Sequence, residues 1–287
     1  MKIINKIEEM HNYIDKIKRN KKNIIGFVPT MGALHDGHLS LVNIAAEQCN
    51  KVVVSIFVNP IQFGQNEDFN KYPRNTKKDI KLLRTTKKVN CVFMPEADEM
   101  YSSDFATFVQ LENQMPKVLC GITRPTHFKG VTTVVCKLLN IVKPDKLYLG
   151  QKDMQQAVIL KKMIMDLNYK TEVVICPIVR EKDGLAMSSR NSYLTPDERN
   201  IAPILRKSLQ LGESMIELGE RDSQTIIKEI TRKIKETNAQ IDYVEIVDPD
   251  TLLKKERIAG RILIAAAIYI GSTRLIDNTL IELKENN

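Results

Sequence analysis

The sequence has no tryptophan, only four histidines and only five cysteines, and aromatic residues make up 6% of its 287 residues. The cysteines are odd in number and none belongs to a Cys-x-x-Cys pair, so no disulfide framework is indicated. Cysteines used in this way are typical of reduced thiols, and we therefore expect a cytoplasmic protein.

Long hydrophobic runs are also missing. The longest apolar stretches, such as Ile262 to Ile270, are far shorter than a membrane span and predict buried strands. Glu8 and Glu9 interrupt any candidate hydrophobic region near the N-terminus, so we expect no signal peptide. The hydrophobic share of 43% and the charged share of 27% are ordinary for a soluble globular chain. No membrane partner is expected.

Positive charge is in excess: 43 lysines and arginines face 35 acidic residues, a formal net charge of +8. Such an excess is compatible with a polyanionic partner. The lysines are scattered, however, and without tryptophan there is no basic stripe interleaved with stacking aromatics. The favoured interpretation is a lysine-rich solvated surface, with no nucleic-acid partner; a non-catalytic nucleotide- or nucleic-acid-binding module remains the alternative.

The strongest local signal lies between Ile24 and Leu39. An apolar run up to Val28 predicts a buried strand, which Pro29 and Gly32 break before a new helix begins near His38. Such a junction aims backbone N–H groups and the positive end of a helix dipole at one point, which suits a phosphate or another anion.

Two of the four histidines, His35 and His38, belong to this junction. A metal site or chance could also explain two histidines three residues apart, although no cysteine lies nearby to complete a zinc site. A P-loop would require lysine and Ser/Thr where this chain has His38 and Leu39, so that match fails.

Apolar periodicity predicts an α/β fold followed by a smaller α+β part. A helix is predicted over 3–19 from the spacing of five apolar residues, and Val52 to Val58 predicts a strand buried on both faces, as in a βαβ unit. After residue 180 two helices, about 196–218 and 223–237, precede strands near 241–247, 262–270 and 274–282. We place the domain boundary there, giving domains 1–180 and 181–287.

Several polar residues follow predicted strands or precede a helix, where ligands of open α/β sheets bind. Asn59 and Gln62 could equally serve turn chemistry beside Pro60, and Arg124 and His127 could equally cap the next helix. Lys152 offers a compact cation for phosphate. The hydroxyls and arginine of 188–190 offer several phosphate donors, although an ordinary polar loop explains them too.

His35-Asp36-Gly37-His38 matches the His-x-Gly-His signature of the nucleotidylyltransferase superfamily. The longer string from Pro29 to His38 resembles one family in it, the pantoate–beta-alanine ligases, also called pantothenate synthetases. Five further motifs resemble the same family in order and context, at 54–63, 72–74, 150–156, 183–191 and 274–278. The resemblance spans nearly the whole chain.

This resemblance implies a Rossmann-like parallel-sheet N-terminal domain that binds nucleotide and pantoate, and a smaller α+β C-terminal domain that acts as a lid, usually in a homodimer. It implies ATP-dependent condensation of (R)-pantoate with beta-alanine through pantoyl adenylate, with release of AMP and pyrophosphate, and with Mg²⁺ accompanying ATP. Another nucleotidylyltransferase of the His-x-Gly-His type, or a class I aminoacyl-tRNA synthetase, stays open as an alternative.

The resemblance also implies roles for individual residues. The catalytic role falls on His38, with His35 beside it on the phosphates and Lys152 as a further catalytic cation. Gln62 would bind both pantoate and beta-alanine, Gln156 would bind pantoate, and no residue is assigned as a metal ligand. The implied ATP-binding residues are Met31, Gly32, Ala33, Leu34, His35, Asp36, Gly37, His38, Gly150, Gln151, Lys152, Asp153, Val179, Met187, Ser188, Ser189 and Arg190.

Three positions depart from the family pattern. Gln151 stands where the family commonly has Glu or Lys, Cys120 where it often has Glu, and Lys78, beside Asp79, where an acidic residue is usual. These departures bear on metal and lid contacts rather than on the reaction.

Overall fold

The computed structural model describes residues 1–65 and 67–283. Over these residues the chain forms two compact units. The first comprises residues 1–112, 124–150 and 159–177, and the second comprises 113–123, 151–158 and 178 onward. No helix in the described part of the chain is both long and apolar enough to cross a membrane.

The first unit is built on a parallel six-stranded sheet with the order β1-β4-β3-β2-β5-β6. All of its pairings are parallel, which confirms the predicted α/β class. The central strands are rich in β-branched residues because helices cover both faces of such a sheet. The strands are β1 (Lys2–Ile4), β2 (Ile25–Thr30), β3 (Lys51–Ile56), β4 (Cys91–Phe93), β5 (Lys146–Gly150) and β6 (Glu172–Cys176).

Two of the predicted helices differ clearly from those in the structure. Ile3 lies in β1, where it pairs with Val92, so the first helix begins later than predicted. The predicted helix over 196–218 is two helices, which meet at Ala202 and Pro203, since proline has no backbone N–H to donate. The helices are α1 (Ile7–Lys18), α2 (Asp36–Gln48), α3 (Thr76–Thr86), α4 (Ala97–Met100), α5 (Cys120–Thr123), α6 (His127–Val142), α7 (Met154–Asp166), α8 (Pro196–Ile201), α9 (Ile204–Glu217) and α10 (Ser223–Ile234).

The parallel direction of β2, β3 and β5 determines where the loops with the predicted site residues of the first unit lie. In β2 and β3, Val28 pairs with Val54 in parallel register, and in β5 Leu147 pairs with Phe27. The carboxyl ends of β2, β3 and β5 therefore lie at one edge of the sheet, which is where open α/β sheets bind ligands. The loop that carries the two histidines follows β2 at this edge.

The second unit contains an antiparallel sheet, with the order β7-β8-β9, together with α8 to α10. Its strands are β7 (Gln240–Val247), β8 (Arg261–Ile270) and β9 (Thr273–Glu282). Every fourth residue of α10 from Ile226 to Ile234 is an isoleucine that is fully buried. Alternate residues of β8 belong to the same core, as the two-residue repeat of a strand requires. The predicted α+β character of this part is confirmed.

A buried ion pair joins β9 to Arg180, near the start of the segment that runs from residue 178 onward. The Asp277 carboxylate is 1% exposed and receives two hydrogen bonds from the Arg180 guanidinium, at 2.6 and 3.1 Å. Because a buried carboxylate is poorly solvated, the folded state tolerates this buried charge only with the arginine beside it.

Replacing Arg180 by methionine should leave the Asp277 carboxylate buried without its cation. We expect the free energy of unfolding, measured by urea denaturation, to fall by about 3–5 kcal/mol. The same substitution at Arg232, whose side chain is 62% exposed beside Glu229, should cost less than about 1 kcal/mol. Arg180→Met/Asp277→Leu should recover most of the loss, and equal losses for Arg180→Met and Arg232→Met would contradict the assignment.

Candidate active site

The turn after β2 and the first turn of α2 carry the two histidines of the signature. Gly32 and Ala33 have φ angles of +83° and +50°, so the chain reverses through two successive left-handed residues. Glycine adopts this conformation without strain, whereas alanine does not. Helix α2 then begins at Asp36, two residues earlier than predicted, with His35 at its N-cap.

The imidazoles of His35 and His38 lie next to each other, with ring centroids 4.1 Å apart and planes tilted by 44°. Nδ1 of His35 accepts a hydrogen bond from the Gly37 backbone N–H at 3.2 Å, and Nδ1 of His38 accepts one from the His35 N–H at 3.3 Å. With Nδ1 accepting, Nε2 is the nitrogen of each ring that can donate. A backbone N–H of the same helix start thus orients each ring.

Asp79 holds the same turn from the first turn of α3. Its carboxylate is buried, and its two oxygens accept hydrogen bonds from the backbone N–H groups of Ala33 and Leu34, at 2.9 and 2.8 Å. The carboxylate thus supports the strained residue Ala33 directly. The sequence patterns assign no role to Asp79, because the contact joins positions 46 residues apart.

Gln62 lies in the short 3-10 helix Pro60–Gln62 that follows β3. Its side chain is largely buried, and its Nε2 lies 2.7 Å from the sulfur of Met31, the first residue of the predicted ATP loop. Asn59, which the sequence left undecided, contacts Gln62 through its amide at 3.1 Å. The structure thus brings Gln62, Met31 and Asn59 together at the sheet edge.

The role of Arg124 was also left open by the sequence. Its guanidinium forms a bidentate ion pair with Glu67 in the loop after Gln62, with one bond at 2.9 Å. Burial alone would raise the pKa of Glu67, but the hydrogen bonds and charge of Arg124 hold that pKa below its ordinary value. His127 is engaged as well, because its Nδ1 lies 3.0 Å from the Gln62 carbonyl oxygen. In this structure these residues support the backbone next to Gln62.

Among the residues predicted around Lys152, Gly150 ends β5 in the first unit, and the others belong to the second unit. There Asn278 of β9 donates from Nδ2 to the carbonyl oxygens of Gln151 and Lys152, at 2.9 and 3.0 Å. The Lys152 ammonium lies 3.8 Å from Asp153. In α7 the side chain of Gln156 is partly exposed.

The segment from Val179 to Arg190 folds back on itself within the second unit. The Met187 N–H donates to the Val179 carbonyl oxygen at 3.0 Å, which brings these two predicted ATP residues together. The Ser188 hydroxyl accepts from the Arg190 backbone N–H at 3.3 Å and begins the 3-10 helix Ser189–Tyr193. Ser188, Ser189 and Arg190 therefore sit at the N-terminus of a short helical turn.

The motif at 274–278 organises this unit. Arg274 pairs with Asp242 at 2.6 Å, Asp277 pairs with Arg180, and Asn278 fixes the turn at 151–152. One strand thus orders segments that lie far from it along the chain. The sequence identified this motif by resemblance alone, without a physical reason for it.

The three departures from the family pattern have different surroundings. Lys78 is exposed, while its neighbour Asp79 makes the buried contact. The Gln151 amide donates to the Asn278 side chain at 3.2 Å. Cys120 is buried, with its sulfur 3.3 Å from the Tyr243 hydroxyl and 3.4 Å from the Arg274 guanidinium.

Among residues 1–65 and 67–283, no cluster of three His, Cys, Asp or Glu side chains could hold a metal ion.

We predict that Asp79→Asn weakens the binding of ATP, the ligand that the resemblance implies, by about 5- to 150-fold, measured by isothermal titration calorimetry. An amide would turn one of the two acceptors into a donor that faces a backbone N–H, at a cost of about 1–3 kcal/mol. Asp248→Asn is the matched control, because Asp248 also accepts backbone N–H groups, in a partly exposed loop. Equal ATP affinity in Asp79→Asn and the wild type would refute the role of Asp79.

Comparison with known proteins gives a consistent result. The family model described as pantoate-beta-alanine ligase matches residues 2–280. The pantothenate synthetase of Acetivibrio thermocellus is 51% identical over 99% of this chain and 100% of its own length. That of Thermotoga petrophila is 52% identical over 98% of this chain and 100% of its own length.

Solved structures agree. The crystal structure of pantothenate synthetase from Thermus thermophilus has a TM-score of 0.92 at 38% identity and covers 97% of this chain and 99% of its own. The pantoate-beta-alanine ligase from Francisella tularensis, solved in complex with beta-gamma ATP and beta-alanine, has a TM-score of 0.82 at 37% identity and covers 98% of this chain and 97% of its own. The match extends over both units and nearly every residue, and so the chain belongs to the pantoate–beta-alanine ligase family.

Proposed function

We propose that this protein condenses (R)-pantoate with beta-alanine to pantothenate in an ATP-dependent reaction, through a pantoyl-adenylate intermediate, and that it releases AMP and pyrophosphate. The observation that carries this function is the family match over residues 2–280. The paired histidine N–H donors at the start of α2 support it, because they suit a phosphate group.

In the first step, a carboxylate oxygen of pantoate attacks the α-phosphorus of ATP. The new oxygen–phosphorus bond forms as the bond to the β-phosphate oxygen breaks, and pyrophosphate leaves. Both reactants are anions, so the site must offset charge repulsion more than it must remove a proton. His38 and His35 would donate to the phosphates, while Lys152 and Arg190 would supply positive charge and Ser188 and Ser189 further donors.

In the second step, the amine of beta-alanine attacks the acyl carbon of pantoyl adenylate. The carbon–nitrogen bond forms, the carbon–oxygen bond to AMP breaks, and the amine loses a proton. We propose that Gln62 contacts both pantoate and beta-alanine, and that Gln156 contacts pantoate. The position of Gln62 beside Met31 supports this assignment, since Met31 begins the proposed ATP loop.

The proposed ATP site comprises the segments 31–38, 150–153 and 187–190 together with Val179. We propose that ATP enters with Mg²⁺, which the phosphates and water would hold. This view follows the usual chemistry of phosphate-transfer sites, in which Mg²⁺ keeps water and phosphate oxygens as ligands. Such an ion would neutralise the triphosphate charge.

We further propose that residues 1–180 form the nucleotide- and pantoate-binding domain and that 181–287 act as the lid. A homodimer and a cytoplasmic location, with no nucleic-acid or membrane partner, complete the proposal. The unpaired cysteine pattern and the scattered lysines support the location and the absence of a nucleic-acid partner.

We expect AMP to form only when ATP, Mg²⁺, pantoate and beta-alanine are all present, measured by chromatography of the nucleotides after each component is omitted in turn. A full dependence on both acids follows from the two-step reaction. Pyrophosphate release with some other acceptor in place of pantoate would instead indicate another nucleotidylyltransferase.

His38→Ala should lower the rate of pantoyl-adenylate formation by about 10² or more, because it removes a donor to the charge of the transition state. Pantoate-dependent exchange of labelled pyrophosphate into ATP measures this step. His11→Ala is the control, because His11 lies on α1, outside the predicted site. A His38→Ala rate near that of the wild type would refute the assignment.

A further inference from the structure

A chain of buried and partly buried hydrogen bonds reaches Gln62 from residues to which the resemblance assigns no role. The Tyr101 hydroxyl donates to Oδ1 of Asn59 at 2.7 Å. Nδ2 of Asn59 donates to Oε1 of Gln62 and to the backbone carbonyl oxygen of Gly130, both at 3.1 Å. All four residues belong to the first unit.

The direction of these bonds is determined by chemistry. A carbonyl oxygen can only accept, so the Gly130 carbonyl requires the NH₂ end of the Asn59 amide. The oxygen end of Asn59 then faces Tyr101, whose hydroxyl must donate. Burial raises the pKa of Tyr101 above its ordinary value, so the hydroxyl keeps its proton at neutral pH.

The second N–H of Asn59 continues the chain to Gln62. Because it donates to Oε1, the oxygen of the Gln62 amide is engaged in the interior and the NH₂ group is directed toward Met31, 2.7 Å from its sulfur. The orientation of the Gln62 amide is thus determined by Asn59, and through Asn59 by the Tyr101 hydroxyl and the Gly130 carbonyl.

The contact with Gly130 depends on the absence of a side chain. A Cβ atom at this position of α6 would lie 2.4 Å from the Ile61 carbonyl oxygen and 2.5 Å from Cα of Gln62. Both are backbone atoms, which cannot move aside as a flexible side chain can. Helix α6 therefore packs its backbone directly against the turn at 60–62, and His127 of the same helix lies 3.0 Å from the Gln62 carbonyl oxygen.

We propose that Tyr101, acting through Asn59 and against the Gly130 backbone, is a positioning residue that orients the Gln62 amide so that it offers N–H donors to the oxygen atoms of the anionic substrate. This inference rests on the proposed function. Carboxylate oxygens only accept hydrogen bonds, so a Gln62 amide in the opposite orientation would present its oxygen to another oxygen and repel the substrate.

The test is the steady-state kinetics of Tyr101→Phe, which keeps the ring and removes only the donor. We expect the KM for pantoate to rise about five- to tenfold, while kcat and the KM for ATP change by less than about twofold, because the Gly130 carbonyl still biases Asn59. Tyr169→Phe is the matched control, because its hydroxyl contacts Cys136 and Asn140 elsewhere in the same unit. This control should leave every kinetic constant unchanged.

Substitutions at Asn59 and Gly130 test two further points: the direction of the hydrogen bond from Asn59 to Gln62, and the close approach of α6 to the turn at 60–62. Asn59→Asp carries no NH₂ group, so Gln62 must turn its own NH₂ inward; the KM for pantoate should rise more than in Tyr101→Phe, and adding Tyr101→Phe to it should change little further. Gly130→Ala should also raise the KM for pantoate. Gly212→Ala, at another helical glycine whose added methyl would meet only isoleucine side chains, should not.

The outcomes are distinguishable. An active wild type with an unchanged KM for pantoate in Tyr101→Phe overturns this inference alone. Parallel changes in kcat and in the KM for ATP would show a general structural defect and would overturn it too. A wild type without pantoate-dependent turnover overturns the proposed function and this inference together.

Discussion

The chain leaves β2 and enters α2 through two successive residues with positive φ, Gly32 and Ala33, and a single carboxylate holds that turn. Asp79 accepts from the backbone of Ala33 and Leu34 and is itself almost fully buried. Two charge-assisted hydrogen bonds offset the strain of alanine in the left-handed region. The orientation of the helix start depends on this contact, and so do the positions of both imidazoles.

The same turn also orients the two imidazoles. Each ring accepts a backbone N–H at Nδ1, so Nε2 is the nitrogen that can donate. In the proposed function, these two rings donate hydrogen bonds to phosphate, and Lys152 and Arg190 supply the fixed positive charge.

Both units position their polar groups in the same way: a buried side chain hydrogen-bonds to the backbone of a loop that is distant along the chain. In the first unit Asp79 binds the turn at 33–34. In the second unit Asn278 binds the carbonyls at 151–152. Because backbone groups are present at every residue, such loops can hold a defined shape even where their own side chains are engaged with a ligand.

The sequence by itself determined the α/β class, the order of most helices and strands, and the junction that carries His35 and His38. These features are local: apolar periodicity, glycine and proline positions and short motifs all lie within one segment. The extent of the family resemblance was also visible in the sequence, because the motifs kept their order. Asn59 stayed undecided because an amide beside a proline serves turn chemistry equally well.

Only the tertiary structure decided how those segments support one another. Asp79 reaches a loop 46 residues away, and Asn59 reaches a carbonyl 71 residues away. The missing side chain of Gly130 has meaning only once α6 lies against the turn at 60–62. Hydrogen-bond direction likewise depends on which atoms meet in space, and residue spacing along the chain does not contain that information.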